Sequence, residues 1–387
     1  MRNKRHHMTL SYAAILLSLA VLWSCKDKYV SPYKNPATGY LVVEGYISGN
    51  STTQITLSRT IPLPGGTPPQ ETGASVEVDG TDGSVFPLQE LNPGVYSDTN
   101  ALPLNTATYY RLRIKTTNGE QYLSDTVPYK VTPPIDSLNF VNNATTGTTI
   151  YVNTHDPTNN TRYYLWNYDQ TFEYHSAEES NYYYDRTLDT ILPRPDTAQV
   201  YRCWLSGVDG YVLTSTSEAL AQDVIYEYPL NVIPPNNVQL SVLYTMLARQ
   251  YALTDSGYAF YKLLQQSSED LGTIFDAQPS AITGNVHCLT NPAERVIGWV
   301  SAGTVQQWRI WISRAQVPST FAYMCAGPDI QVTPDPADIR TYFGSVYTPE
   351  FLGADAAGYP VWVGNYTDCL VCTLHGGTNH APSIWPN

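Results

Sequence analysis

The chain has 387 residues, with 34 acidic against 21 basic side chains and a formal charge of −13. So acidic a surface repels phosphate backbones and anionic lipid, which argues against nucleic-acid binding. Charged residues make up only 14% of the chain and tyrosine reaches 31 against 8 phenylalanines, a usage that suits β-structure with polar surfaces in a chain long enough for two or three domains.

Residues 1–24 read as a signal peptide. Arg2, Lys4 and Arg5 make a basic start, and SYAAILLSLAVLW is an apolar core too short to span a bilayer. It ends in Leu22-Trp23-Ser24-Cys25, which resembles a bacterial lipobox, with Trp23 where a small residue is usual. Cys25 is therefore expected to be lipidated, and the mature protein to be anchored to a membrane rather than to span it. Lys26, Asp27 and Lys28 follow directly and resemble a surface-export signal, so an outer-membrane, cell-surface location is expected. Residues 25–36 serve as a tether.

From residue 37 the pattern is β. LVVEGYISG alternates and QITLSRT follows; ASVEVDG and SVFPLQE flank a turn at Asp79-Gly80-Thr81-Asp82-Gly83. In YYRLRIKTTNGEQYLSD, Tyr110, Leu112 and Ile114 alternate and Asn118-Gly119 marks a tight hairpin. About seven short strands with no helical period predict an immunoglobulin-like β-sandwich over 37–134, closed by the stiff segment VTPPIDSL. A second β-rich domain is expected over 135–315. Tyr164, Trp166 and Tyr168 alternate there, and VQLSVLYTMLARQYAL reads as a long strand. One amphipathic helix is predicted near 255–270, capped by Thr254 or Asp255. Residues 316–387 read as an irregular, cysteine-containing segment packed on the second domain.

The hydrolase motifs Gly-x-Ser-x-Gly and His-Glu-x-x-His are absent. After the signal five histidines remain: His155, His175, His287, His375 and His380. Acid–base work would fall to carboxylates such as Asp156, Asp169 and Glu173. Asp79 and Asp82 suit turn chemistry better than calcium, because the acidic alternation and terminal Glu of a calcium loop are missing. Tyr182, Tyr183 and Tyr184, with Arg186 close by, suggest an aromatic binding loop, unless the loop folds back and buries its rings. With Cys25 taken by lipid, Cys203, Cys288, Cys325, Cys369 and Cys372 are disulfide candidates in an oxidising compartment, two bridges and one free thiol being the simplest count. Zinc on Cys369, Cys372, His375 and His380 is the weaker alternative. No cofactor is expected.

Several stretches together carry a family likeness: LVVEGYISG with QITLSRT, then GASVEV, YRLRI and NGEQYLSD, then YTMLARQYALTDSGYAFYKLL, GTIFDAQPSAITGNVHCLTNPAERVIGWVSA and RIWI. They resemble the Bacteroidota lipoprotein family of domain of unknown function 4249. The resemblance implies an outer-membrane lipoprotein working beside a TonB-dependent receptor, in a family for which no enzymatic activity is established. The expectation is a non-enzymatic binding accessory for nutrient capture or transport. The alternatives are a carboxylate-based hydrolase of glycans or peptides, and a structural envelope protein without a small ligand.

Overall fold

The computed structural model describes residues 39–61, 66–208, 210–269, 284–318 and 327–386. The expected signal peptide 1–24, Cys25, the tether 25–36 and Cys325 lie outside the described residues. The protein is mostly β. Its strands are β1 (Leu41–Ser48), β2 (Gln54–Arg59), β3 (Ser75–Gly80), β4 (Val85–Asn92), β5 (Val95–Ser97), β6 (Tyr109–Lys115), β7 (Gln121–Ser124) and β8 (Val127–Lys130). Next come β9 (Ile135–Asn143), β10 (Gly147–Asp156), β11 (Tyr163–His175), β12 (Tyr182–Asp185), β13 (Thr190–Pro193), β14 (Arg202–Val208), β15 (Leu213–Thr216), β16 (Asp223–Ile233) and β17 (Leu243–Ala252). After the helix Asp255–Glu269 follow β18 (Val286–Cys288), β19 (Ile297–Gly298), β20 (Ser301–Gly303) and β21 (Val305–Ser313), and finally β22 (Ile330–Val332), β23 (Tyr347–Ala354) and β24 (Pro360–Tyr366).

The strands form where the sequence alternates. In β1, Leu41, Val43 and Ile47 are buried while Glu44 is exposed, the two-residue period of a strand with one face on a core. Gly83 and Gly119 take φ of +88° and +92° in the turns joining β3 to β4 and β6 to β7, as their Asp-Gly and Asn-Gly signals predict.

The N-terminal sandwich is corrected to a barrel. The hydrogen-bonded order is β6-β3-β4-β5-β2-β1-β20-β8, and β8 pairs back onto β6 through Tyr109–Pro128 and Tyr110–Val127. Eight strands therefore close on themselves, while β7 and β18 continue from β6 as a branch. The closing strand β20 comes from far downstream and lies parallel to both β1 and β8. Parallel neighbours need a long crossover, and here the whole second region supplies it. The segment 286–303, expected within the second domain, thus completes the first: Val286, Cys288, Val296, Val300 and Ala302 are buried in the barrel core. Gly298 shows why this segment carries glycine, since a Cβ there would lie 2.0 Å from the Val43 carbonyl oxygen.

The sandwich architecture belongs to the second region. A three-stranded sheet, β16-β10-β9, faces the sheet β14-β11-β17-β21, with β15 also pairing β11. Between them lie Ile150, Val152, Trp166, Tyr244, Met246 and Ile233. Trp166 stacks on Tyr164 and Tyr228 with ring centroids 5.5 and 4.8 Å away, and its Nε1 donates to Gln250 Oε1 at 2.9 Å, which satisfies the polar end of a fully buried ring. The helix stands where periodicity placed it, with Thr254 Oγ1 accepting from Gly257 N at 3.1 Å.

The C-terminal segment is more regular than its composition suggests. It forms the sheet β22-β24-β23 and a helix, Pro336–Phe343, capped by Asp335. Its small core is Ile191, Val332, Ile339 and Phe343, with Tyr182, Tyr184 and Trp362 packed alongside. The stretch expected as a tyrosine-rich loop is the hairpin β12–β13, folded onto this core. Among the described residues, no helix is long and apolar enough to cross a membrane.

Candidate functional site

A cleft of about 860 Å³ lies between barrel and sandwich. Strand alternation builds both walls. The side chains of β1 that turn away from the barrel core, Val42, Glu44 and Tyr46, line one side together with Gln54 and Thr56 of β2. The other side is the face of β11, β17 and β21 that turns away from the sandwich core. Register sets its residues in rows: Leu165–Tyr251–Val305, then Asn167–Arg249–Gln307. Directly paired residues share a face, so the second row is a polar band across three strands. Phe260, Tyr261 and Leu264 of the helix and Trp299 close one end, while the exposed Val208 and Tyr211 form a lip.

The aromatic groups are fixed by one another. Tyr46 and Tyr251 have ring centroids 4.9 Å apart, Phe260 lies 5.8 Å from Trp299, and Trp299 Nε1 donates to Ser301 Oγ at 3.1 Å. Asn167 Nδ2 donates to Tyr251 Oη at 3.3 Å. Burial pushes the Tyr46, Tyr251 and Tyr261 phenols above the usual tyrosine range, so they stay neutral and act as hydrogen-bonding hydroxyls at physiological pH. Arg249 and Asp169 form an ion pair; that hydrogen bond raises the Arg249 pKa further. The cleft thus offers aromatic faces, amides, neutral hydroxyls, one self-compensated ion pair and the Glu44 carboxylate at its barrel wall.

The residues expected to act lie elsewhere. Tyr182, Tyr183 and Tyr184 are half-buried on the C-terminal module, not in the cleft. Tyr182 meets Trp362 edge-on at 5.0 Å, Arg194 lies 5.9 Å from the Tyr183 ring centroid, and Tyr184 donates to Asp189. Arg186 donates to the Gly344 carbonyl at 2.9 Å. The candidate carboxylates are not brought together. Asp156 accepts from Thr158 N, Asn160 N and Thr161 N in a turn, Asp169 pairs with Arg249, and Glu173 is held in the clasp described below. Asp169 and Glu173 stand four residues apart on one strand, a span of about 13 Å, wider than carboxylate pairs that flank a glycosidic bond. Asp79 is buried against Arg111 and Arg113, and Asp82 Oδ1 accepts from Ser84 N at 3.0 Å; both are turn and sheet chemistry.

The cysteines resolve differently from the simplest count. Among the described residues one bridge is present, Cys203–Cys372, while Cys288 and Cys369 are buried free thiols. Since Cys372 is spent in the bridge, Cys369, Cys372, His375 and His380 do not assemble a zinc site. His375 Nε2 instead lies 2.9 Å from the Asp368 carbonyl. The end of the chain folds back over β11. Trp385 packs against Trp204 and Trp311 and donates from Nε1 to Glu173 Oε2 at 3.0 Å. Arg202 and His175 hold the other Glu173 oxygen at 2.8 and 3.0 Å.

Tyr46, Asn167, Arg249, Tyr251 and Gln307 are the cleft residues that reading the sequence missed. The signal was present in the outward positions of strands whose inward positions are apolar: Glu44 and Tyr46 in LVVEGYISG, Asn167 and Asp169 in YYLWNYDQ. What the sequence conceals is that these two faces meet.

A search of the curated proteins finds no match. The family described as a domain of unknown function (DUF4249) matches residues 27–309, a span that contains the barrel, the sandwich strands through most of β21 and every residue named in the cleft, and that stops before the C-terminal module. The chain belongs to this family of domain of unknown function 4249.

Proposed function

We propose that this protein is a binding accessory of the bacterial envelope and that the cleft between barrel and sandwich holds its ligand. The cleft is the observation that carries this reading. Its volume falls in the range of small-molecule sites, about 300–1,000 Å³, and its lining pairs flat aromatic faces with polar groups that are mostly neutral. That chemistry suits an uncharged ligand bearing hydroxyls or amides. The walls are prearranged: a single residue, Thr304, joins β20 of the barrel to β21 of the sandwich, and Asn50 clamps Val305 through bonds of 2.8 and 3.0 Å. A rigid site loses less entropy on binding.

In this reading Cys25 carries the lipid anchor of an outer-membrane lipoprotein of the Bacteroidota, and a TonB-dependent receptor is the partner that receives the captured nutrient. The lipobox and the family likeness support the address and the company; the cleft supports the capture. The hydrolase alternative has less support, because, of the two acids that line the cleft, Glu44 and Asp169, the second is already paired with Arg249.

The test is a glycan and peptide binding screen with the purified mature chain, followed by the Asn167→Ala and Tyr251→Ala variants. A ligand that binds the wild type and loses tenfold or more affinity in both variants supports the reading. A screen that stays blank, or a ligand indifferent to both substitutions, overturns it and favours a structural envelope role. Purification from native outer membranes with mass spectrometry tests the partner separately; recovery as a free lipoprotein in cells expressing the receptor counts against it.

A further inference from the structure

Far from the cleft, three carboxylates from separate segments converge. Glu178 lies in the loop after β11, Asp329 just before β22, and Glu350 on β23, with one oxygen of each within 4.8 Å of the others. Glu178 and Asp329 are exposed, but Glu350 is only 4% exposed, and its Oε1 is buried without a hydrogen-bond partner. An unpaired buried carboxylate oxygen is costly, and two further carboxylates beside it add repulsion.

The surrounding backbone builds this point. A register shift between Pro349 and Phe351 marks a bulge in β23, a device that re-aims a side chain. Asn181 N donates to the Glu350 carbonyl at 3.1 Å and Ser180 Oγ to the Pro349 carbonyl at 2.8 Å, which fixes the Glu178 loop against the strand. Buried Asn365 donates from Nδ2 to Asp329 Oδ1 at 2.9 Å, orienting that carboxylate as an outer partner orients a metal ligand. The nearby cation, Arg194, does not neutralise the group; it donates to the Ser180 and Tyr182 carbonyls instead.

We propose that Glu178, Asp329 and Glu350 form a binding site for a hard divalent cation, calcium, which clamps the C-terminal module to the loop leaving β11. Oxygen-only donors select hard ions over zinc or copper. Calcium takes about 6–8 oxygens in flexible geometry, whereas magnesium demands a near-ideal octahedron. Three carboxylates, two of them open to water, suit the first.

The test uses the full mature chain stripped with a chelator. Calcium chloride is titrated calorimetrically, and melting is followed with and without the ion. The expected result is one ion per chain, with Kd at or below roughly 10⁻³ M, and a rise in Tm of several degrees. Magnesium binds at least tenfold more weakly. Glu350→Gln and the exposed Glu178→Gln each lose at least tenfold in affinity and most of the Tm response, while Asp82→Asn, at a distant acidic turn, keeps both. Wild type without heat or shift overturns the site. So does equal binding by all three variants, which marks adventitious association with an acidic chain. Magnesium binding as tightly as calcium overturns the assignment of the ion.

Discussion

The barrel and the C-terminal module are both made of short strands, yet they are held together by opposite means. The barrel is a closed ring of hydrogen bonds around a continuous core of twenty buried residues. The module has only a small core of its own, Val332, Ile339 and Phe343 with Ile191 of β13, too little to offset the chain entropy of about sixty residues. It is attached at discrete points instead: the Cys203–Cys372 bridge, the Glu173 clasp with Trp385, and the Ser180 and Asn181 bonds to β23. The comparison teaches that sequence distance works in opposite ways in the two regions. In the barrel a distant segment, β20, becomes part of one cooperative sheet. In the module distant segments meet at staples, each of which can be cut alone.

Cutting the bridge has the largest expected effect. A disulfide across a separation of 169 residues restricts the unfolded chain by about 4–5 kcal/mol on the loop-entropy account. Cys203→Ser with Cys372→Ser should lower stability by up to that amount, with the module and the end of β14 opening first. Hydrogen exchange by mass spectrometry checks this: residues 327–386 should lose protection while β1, β3 and β6 keep theirs. Equal loss in both regions would break the contrast between ring and staples.

The clasp comes next. Burial works to raise the Glu173 pKa, but hydrogen bonds from His175, Arg202 and Trp385 outweigh it and hold it at about 2. The folded value lies below the ordinary 4.5, so the unfolded state binds more protons in acid. The stabilisation is complete above about pH 4.5 and is lost as pH falls towards 2, amounting to about 3 kcal/mol at most. Glu173→Gln should remove that dependence. Tryptophan fluorescence of Trp204, Trp311 and Trp385 through an acid titration is the measurement, with an acid transition in the wild type and a flat response in the variant.

These contrasts also explain what could be read beforehand. The alternation of Tyr110, Leu112 and Ile114 and the amphipathic period near 255–270 are local patterns, and the strand and the helix stand where those patterns put them. Barrel closure was illegible because β20 is three residues long and pairs in parallel with strands more than 170 positions away; no local period records that. The module was read as irregular because β22 is short and the β23 bulge interrupts alternation. The cleft was half legible: its outward-facing residues were visible on each strand, and their meeting was not.

Gly298→Ala probes the ring itself. The new Cβ would fall 2.0 Å from the Val43 carbonyl oxygen, at a φ of +142°, so β1 and β19 must separate. Overpacking of this kind costs about 2 kcal/mol. The loss should appear as a lower midpoint for the whole barrel in denaturant, with the module unaffected until the barrel unfolds. Early loss of module signal would show that the ring and the staples are coupled.

The smallest effect on stability should fall in the cleft, and there it separates holding the fold from holding a ligand. Arg249 and Asp169 are partly exposed, 25% and 43% at their side chains, and pairs of this kind contribute less than about 1 kcal/mol. Arg249→Met should therefore leave the melting temperature within a few degrees of wild type. It nonetheless strips the counter-charge from Asp169 in a cleft that Glu44 also lines, turning a self-compensated floor into an anionic one. A neutral ligand should then lose its contacts to the Asn167–Arg249–Gln307 row and bind at least several-fold more weakly, while a cationic analogue should gain. If neutral and cationic ligands weaken alike, Arg249 acts through the shape of the cleft rather than its field. If neither changes, the polar row is not the binding floor, and the aromatic side formed by Tyr46, Tyr251 and Trp299 must carry recognition alone.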